Sequence, residues 1–462
     1  MDILQCISPI DGSIYVEREL ASEAQIRAAL DLAGGAQRAW QLTPLAEREA
    51  IVRRAVELLW GRRGALGTEL CHMMGRPIRY AAGELDGFAE RAGYMADIAA
   101  EALADIPAPD RSGSICFIRR QPLGMALVLA PWNYPYLTAV NAVVPALLAG
   151  NTVLLKHSAQ TPLCAERMVE AFCEAGLPRG VFQFLHLRHG DIDRLIRAGE
   201  VDHIAFTGSV AGGRAIAQAA AGRFVRVGLE LGGKDPAYIR ADADLAQAVA
   251  SVIDGAYFNS GQSCCAIERI YVHAEVYDAF VEQAVALVRG YQLGRPDVPD
   301  TTLGPLVRAE VADFVRAQID EAVAAGARAH LSPADFAMDF RGTPYMAPQL
   351  LTEVDHSMRL MREESFGPVV GVQKVHDDAE ALALMNDSDF GLTAAIYSRD
   401  ATAAQMLGDQ LETGTVFLNR CDYLDPALAW TGVKLSGRGC TLSGIGYEYL
   451  TRPKSFHFRV EP

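Results

Sequence analysis

Apolar positions recur with helical spacing through residues 20–100, where Ala, Arg, Glu and Leu are abundant, and two stretches, 46–60 and 84–104, read as amphipathic helices. From residue 125 the pattern changes. Short apolar runs at 125–130, 152–156, 181–184 and 203–206 are each followed by a helical stretch, the alternation of a parallel sheet with helices on its faces. A second alternating block follows residue 234, with strands expected at 236–239, 270–272, 369–375, 394–397 and 415–418. Two further segments, 114–120 and 454–460, alternate like strands with exposed edges, an unusual arrangement unless something pairs with them. The pattern predicts an α/β fold of two tightly packed, interleaved domains, with no internal repeat, low-complexity tract or long linker.

Composition narrows the classes. The chain has 462 residues, half of them hydrophobic, enough for a large core and for two or three domains. Its nine cysteines include no CxxC pair and no zinc-like Cys/His cluster, so no metal site is expected and the thiols should be free, which places the protein in a reducing, cytoplasmic compartment. The N-terminal sequence lacks a basic stretch followed by an apolar core, and apolar runs elsewhere stop well short of the roughly 18 residues of a membrane span. Lys plus Arg number 42 against 57 for Asp plus Glu, a net charge of −15 that disfavours nucleic acid and anionic lipid as partners.

Candidate chemistry begins with Asn259-Ser260-Gly261-Gln262-Ser263-Cys264-Cys265, a thiol set in a small, polar, glycine-containing loop. A thiol attacks as its thiolate, and at an unperturbed pKa only about 3% is ionised at neutral pH, so a loop rich in backbone N–H groups would help. The loop alone leaves Cys264 and Cys265 both open, and a free cysteine is ordinarily a small buried hydrophobe. Five further segments follow a set order along the chain: Pro131-Trp132-Asn133-Tyr134-Pro135, Phe206-Thr207-Gly208-Ser209, Leu229-Glu230-Leu231-Gly232-Gly233-Lys234, Glu363-Glu364-Ser365-Phe366-Gly367-Pro368 and Gly432-Val433-Lys434-Leu435-Ser436-Gly437. With the cysteine loop, they closely resemble the aldehyde dehydrogenase superfamily, from about residue 10 to the C-terminus.

The resemblance implies two doubly wound α/β domains plus a small β oligomerisation arm: a nucleotide-binding domain from 1–102 and 123–232, a catalytic domain from 233–435, and an arm from 103–122 and 436–462. It implies a homodimer or homotetramer that oxidises an aldehyde to the acid with NAD or NADP. Cys264 matches the nucleophile, Asn133 the amide that donates to the tetrahedral oxyanion, and Glu230 the base for thioester hydrolysis. Each has a plainer reading: Asn133 could shape the turn after a strand, and Glu230 could pair with a cation at a strand end. Glu230 also disfavours the coenzyme-A-dependent acylating relatives. Many members carry a second glutamate after the Lys-x-Ser-Gly segment; Thr441 stands at that position, which puts a two-carboxylate proton relay in doubt.

No GxGxxG follows a strand, and the resembled family uses none. Instead Gly208 and Ser209 open a helix whose N–H groups can face a pyrophosphate, although Ser209 can also be an ordinary N-cap. Lys156 matches the lysine of the adenosine ribose, Glu364 the carboxylate of the nicotinamide ribose, and Trp132, Ser158, Leu231 and Phe366 complete the expected cofactor contacts. Ala159 stands where NAD-preferring members often place a glutamate that repels a 2′-phosphate, so NADP should be tolerated, with His157 and Ser158 as expected phosphate contacts. Positions matching the substrate tunnel are Tyr134, Thr138, Asn141, Ser263, Leu424 and Trp430, and Arg420 sits in the loop 419–431 that forms one wall. This mixed lining suits a small polar aldehyde such as a semialdehyde or hydroxyaldehyde, and Lys156-His157 resembles bacterial succinate-semialdehyde dehydrogenase-like branches. Arg420 could bind a distal carboxylate or pair with Asp422 or Asp425. A cofactor-independent thiol esterase and a catalytically silent protein of the same fold are the alternatives.

Overall fold

The computed structural model describes residues 2–460, so the outermost residues of the expected first and last segments lie outside it. A six-stranded sheet runs in the order Gly437–Arg438, Arg226–Glu230, His203–Thr207, Met125–Ala130, Thr152–His157, Phe182–Phe184. Its strands are parallel except for Gly437–Arg438, which pairs antiparallel with Leu229 and Glu230. The strand Met125–Ala130 is buried at every position, as expected for an unbroken apolar run between two helical layers. Its Ala126, Val128 and Ala130 join the core beneath the helices Leu45–Gly61, Gly83–Ala102, Pro135–Leu148 and Pro162–Glu174. Met125, Leu127 and Leu129 face the core beneath Glu23–Trp40, His189–Ala198 and Val210–Ala220.

A seven-stranded sheet follows the order Arg328–Ala329, Gln349–Thr352, Val369–Val375, Ile267–His273, Asp235–Ile239, Thr393–Tyr397, Thr415–Leu418. Only Arg328–Ala329 runs antiparallel, and separate apolar cores cover the two faces. The expected strands 114–120 and 454–460 are observed as Ser114–Pro122 and Thr451–Arg459, paired with each other in antiparallel register from Thr451 opposite Pro122 to Arg459 opposite Ser114. Phe117 and Phe456 stack across that ladder at 4.6 Å, and Ile106–Pro107 completes a three-stranded sheet.

Several strands were not signalled by the sequence pattern. Arg226–Glu230 has charged ends and a central glycine, and Gln349–Thr352 is only four residues long, so neither shows an apolar run. The hairpin of Ile3–Ile7 and Ile14–Glu19 likewise precedes the helical region unannounced. The last helix, Ser443–Tyr449, packs on Gly83–Ala102, with the Tyr447 hydroxyl donating to the Met95 carbonyl at 2.6 Å. All nine cysteines are free thiols. Among the described residues no helix is long and apolar enough to cross a membrane.

Candidate active site

Ala130, His157, Thr207 and Glu230 all lie at the C-terminal edge of the first sheet. From Met125–Ala130 the chain winds outward to Thr152–His157 and Phe182–Phe184, then returns to place His203–Thr207 on the other side of its starting strand. Such a switch in strand order opens a crevice outside the strand ends. Pro131, Trp132 and Asn133 line one wall of that crevice and Thr207, Gly208 and Ser209 the other, with Leu231, Gly232, Glu364, Phe366 and Cys264 enclosing a cavity of about 200 Å³.

Residues 231–234 carry the chain from the end of Arg226–Glu230 to the start of Asp235–Ile239, so the C-terminal edge of one sheet meets the N-terminal edge of the other. Cys264 sits at this junction, between the helix Leu245–Tyr257 and the strand Ile267–His273. The approach has no room for side chains: a Cβ on Gly233 would overlap the Cys264 carbonyl oxygen, and one on Gly232 the Glu364 carboxylate. Preceding the thiol, Asn259, Ser260 and Gly261 all have positive φ, at 53°, 58° and 72°, a conformation that a serine adopts only under compulsion. Gly261 also packs so closely on the Gly367 carbonyl that a Cβ could not fit. The Asn259 amide donates to the carbonyls of Asn133 and Gln262, both at 3.2 Å, which locks the cysteine loop to the Trp132–Tyr134 turn. A buried Arg76–Glu84 ion pair reinforces the turn, Arg76 donating to the Asn133 carbonyl at 2.5 Å and Glu84 accepting the Tyr136 N–H at 2.7 Å.

The Asn133 side-chain amide points at the loop, donating to the Gln262 carbonyl at 3.2 Å. Cys264 is partly exposed and faces the crevice, whereas Cys265 is 3% exposed and donates to Asp422 at 2.9 Å. The neighbouring Cys264 sulfur and burial push the Cys265 thiol well up, which makes Cys265 a poor nucleophile.

Glu230 holds its carboxylate between two hydroxyls: Thr441 Oγ1 donates to Oε1 at 2.6 Å and Thr207 Oγ1 to Oε2 at 3.0 Å. Burial raises its pKa, and these two donors oppose the rise. Thr441 is fixed by a backbone pair with Trp430, with N–O distances of 2.8 and 3.0 Å in the two directions. Behind Glu230 lies a cavity of about 30 Å³ bordered by Thr207, Cys440 and Thr441, room for about one water.

On the other side of Cys264 a larger cavity of about 340 Å³ is lined by Tyr134, Thr138, Asn141, Ser263, Leu424 and Trp430, together with Arg91, Asp254, Cys421 and Asp422. The two cavities share Thr138, Thr207, Glu230 and Cys264. Arg420 is a correction. It is exposed and does not line the cavity; its guanidinium lies 3.9 Å over the Tyr423 ring rather than against Asp422 or Asp425, because the loop turns its side chain outward. Asp422 instead accepts Ser263 Oγ at 3.1 Å, and burial pushes its carboxyl up to about 6.

Further expected cofactor residues lie on the strand Thr152–His157 next to the crevice or just beyond its end. Lys156 stands beside Leu129 near the end of Thr152–His157, and burial lowers its pKa. The Ser158 hydroxyl accepts the Gln160 N–H at 3.2 Å, and Ala159 is exposed. His157 is a second correction: its ring is buried, with Nδ1 at 3.0 Å from Thr161 Oγ1 and Nε2 at 3.1 Å from the Pro135 carbonyl. Burial lowers its pKa to about 3, which removes it from the set of phosphate contacts. Ser209 does cap its helix, accepting the Gly212 N–H at 3.2 Å.

A nicotinamide dinucleotide fits the crevice chemically. Helix N–H groups face its mouth at Ser209, while Trp132 and Phe366 stand edge to face at 5.6 Å. Glu364 accepts the Gly233 N–H at 3.0 Å, and burial beside Glu268 pushes its carboxyl up to about 8, so a hydroxyl partner would suit it. The segment carrying Glu364 and Phe366 is held by Glu268, which accepts the Ser365 and Phe366 N–H groups and pairs with buried Lys234.

The aldehyde dehydrogenase family profile matches residues 2–456. The chain belongs to the aldehyde dehydrogenase family. It is 35% identical to the NADP-dependent succinate-semialdehyde dehydrogenase of Deinococcus radiodurans, over 97% of this chain and 93% of that one. It is 33% identical to the NAD(P)-dependent succinate semialdehyde dehydrogenase of Escherichia coli, over 95% and 94% of the two chains. The solved structure of succinic semialdehyde dehydrogenase from Streptococcus pyogenes with NADP superposes with a TM-score of 0.94 at 28% identity, covering 99% of this chain and 100% of that one. The protein is thus an NAD(P)-dependent aldehyde dehydrogenase, and the esterase and silent alternatives give way to this reading.

Sequence reasoning missed Arg91, Asp422 as an acceptor in the cavity, Thr207 and the Lys234–Glu268 pair. Arg91 did leave a signal, since it falls among Leu85, Phe88, Ala92, Met95 and Ala99 on the apolar face of its helix, where a charge is out of place.

Proposed function

We propose that Cys264 is the nucleophile, Asn133 the oxyanion donor and Glu230 the base in oxidation of a small polar aldehyde, succinate semialdehyde being the first candidate. The observation that carries this reading is that two cavities of different character meet at one thiol, with Glu230 on the same boundary. Attack by the Cys264 thiolate on the aldehyde carbon forms a C–S bond and a tetrahedral oxyanion. A side-chain amide such as Asn133 contributes about 3–4 kcal/mol to holding that charge. Trp132, Glu364 and Phe366 would hold a nicotinamide, which would accept the hydride that the tetrahedral carbon gives up as it becomes the Cys264 thioester. Glu230 then takes a proton from water as it attacks the Cys264 thioester, and Thr441 and Thr207 aim the carboxylate.

Exposed Ala159 beside Lys156 and Ser158 leaves space and no repelling charge for a 2′-phosphate, which supports use of NADP at least as readily as NAD. The relatives' NADP-linked names point the same way. Free thiols support a reducing, cytoplasmic setting, and the β arm supports a homodimer or homotetramer.

Reduced-nicotinamide formation with NAD and NADP across a panel of small aldehydes, alongside Cys264→Ala, tests the assignment. Turnover with NADP and a polar aldehyde, abolished in Cys264→Ala, is expected. Equal turnover in that variant would remove Cys264 from the mechanism, and failure of NADP at millimolar concentration would overturn the cofactor assignment.

A further inference from the structure

We infer that Arg91 anchors a carboxylate at the far end of the aldehyde, so that the preferred substrates are short half-aldehydes of dicarboxylic acids. The inference rests on the proposed reading of the two cavities and names the chemistry that the substrate side recognises.

Arg91 is 8% exposed and is the one cationic side chain among the residues lining the larger cavity. Its Nη1 donates to the Leu137 carbonyl at 2.8 Å and to Asn141 Oδ1 at 3.3 Å, which fixes the guanidinium on the cavity wall. Both acceptors are neutral, and among the described residues no carboxylate pairs with Arg91 within 4.0 Å. Glu230 and Asp422 act on Arg91 only at a distance, and a buried guanidinium with no directly paired carboxylate is costly, while its planar fork matches a carboxylate in a bidentate pair. An anionic group entering with the substrate completes the pair.

The acids around the same cavity are largely engaged elsewhere. Asp422 accepts Ser263 and Cys265, Glu230 accepts two threonines, and Glu90 accepts the Tyr423 hydroxyl at 2.7 Å. Asp254 is the exception, with its carboxyl raised by burial, and it makes an aldehyde with a terminal amine the rival substrate class. Arg91 and Asp254 therefore pose opposite predictions for the same cavity.

Succinate semialdehyde, butanal and 4-aminobutanal share a four-carbon chain and differ at the far end, so their kcat/KM ratios read the anchor directly. Wild-type enzyme should favour succinate semialdehyde over butanal, and Arg91→Met should lower that ratio on the order of 100-fold, chiefly through KM. Arg91→Lys should recover part of it. Asn141→Asp keeps the guanidinium but gives it an internal carboxylate, and should also lower the ratio. An equal loss for succinate semialdehyde and butanal in Arg91→Met would mean that Arg91 only staples two helices, and wild-type preference for 4-aminobutanal would overturn the anchor outright.

A binding assay separates this inference from the dehydrogenase assignment. Succinate should slow alkylation of Cys264 by iodoacetamide in wild type and not in Arg91→Met; equal protection in both would overturn the anchor. Arg91-dependent protection in a protein that reduces no nicotinamide would support the anchor while contradicting the proposed catalytic roles.

Discussion

Glu230 shows how one side chain's neighbours set its chemistry. Burial favours its protonated form, while the hydroxyls of Thr441 and Thr207 favour the carboxylate that can accept a proton from water. Removing one donor in Thr441→Val should raise the folded-state pKa of Glu230. The acid limb of the kcat profile, where the base must be ionised, should then move to higher pH by about 1–2 units, since a hydrogen bond to a charged group contributes about 1.5–3 kcal/mol. An unmoved limb in the pH–rate profile would show that the 2.6 Å contact does not tune the base. Thr441 was legible in the sequence as a departure but not as a replacement, because nothing in a linear sequence shows that the Trp430 backbone would bring its hydroxyl onto Glu230. His157 was expected as a phosphate contact, but alternation along a strand turns its side chain to the opposite face from that of Lys156, where it is buried.

Among the elements, the run at 125–130 was legible because full burial leaves an unbroken apolar signal, and the strand 369–375 through its four buried leading residues. Arg226–Glu230, which carries the proposed base, was not, since one end pairs with Gly437–Arg438 from a distant part of the chain and its charged ends mask the strand. The cysteine loop was legible as chemistry but not as geometry: its three successive positive φ values arise from contacts with Gly367 and Asn133. The arm strands were legible through their alternation. Thr451–Arg459 is the edge of its sheet, and Phe458, 50% exposed, lies opposite Ile115, 51% exposed. An open edge with an apolar pair is a surface that a second copy would cover. The protein should therefore sediment as a dimer or larger, and Ile115→Asp combined with Phe458→Asp should weaken that assembly; a wild-type monomer at micromolar concentration would refute the proposed oligomer.

In the whole molecule, the two sheets present opposite edges to one junction, and the short Gly232-Gly233 link lets Glu230, Cys264 and Glu364 converge there. We propose that this junction runs two steps in sequence, with Cys264 forming a thioester and Glu230 releasing it. Rapid mixing of enzyme, saturating NADP and an aldehyde that wild type oxidises tests it most directly. Glu230→Gln should release close to one equivalent of reduced nicotinamide per Cys264 in a burst and then fall at least about 100-fold below the wild-type steady state, while Cys264→Ala should give neither phase. Wild-type steady-state turnover by Glu230→Gln, or a burst from Cys264→Ala, would contradict it.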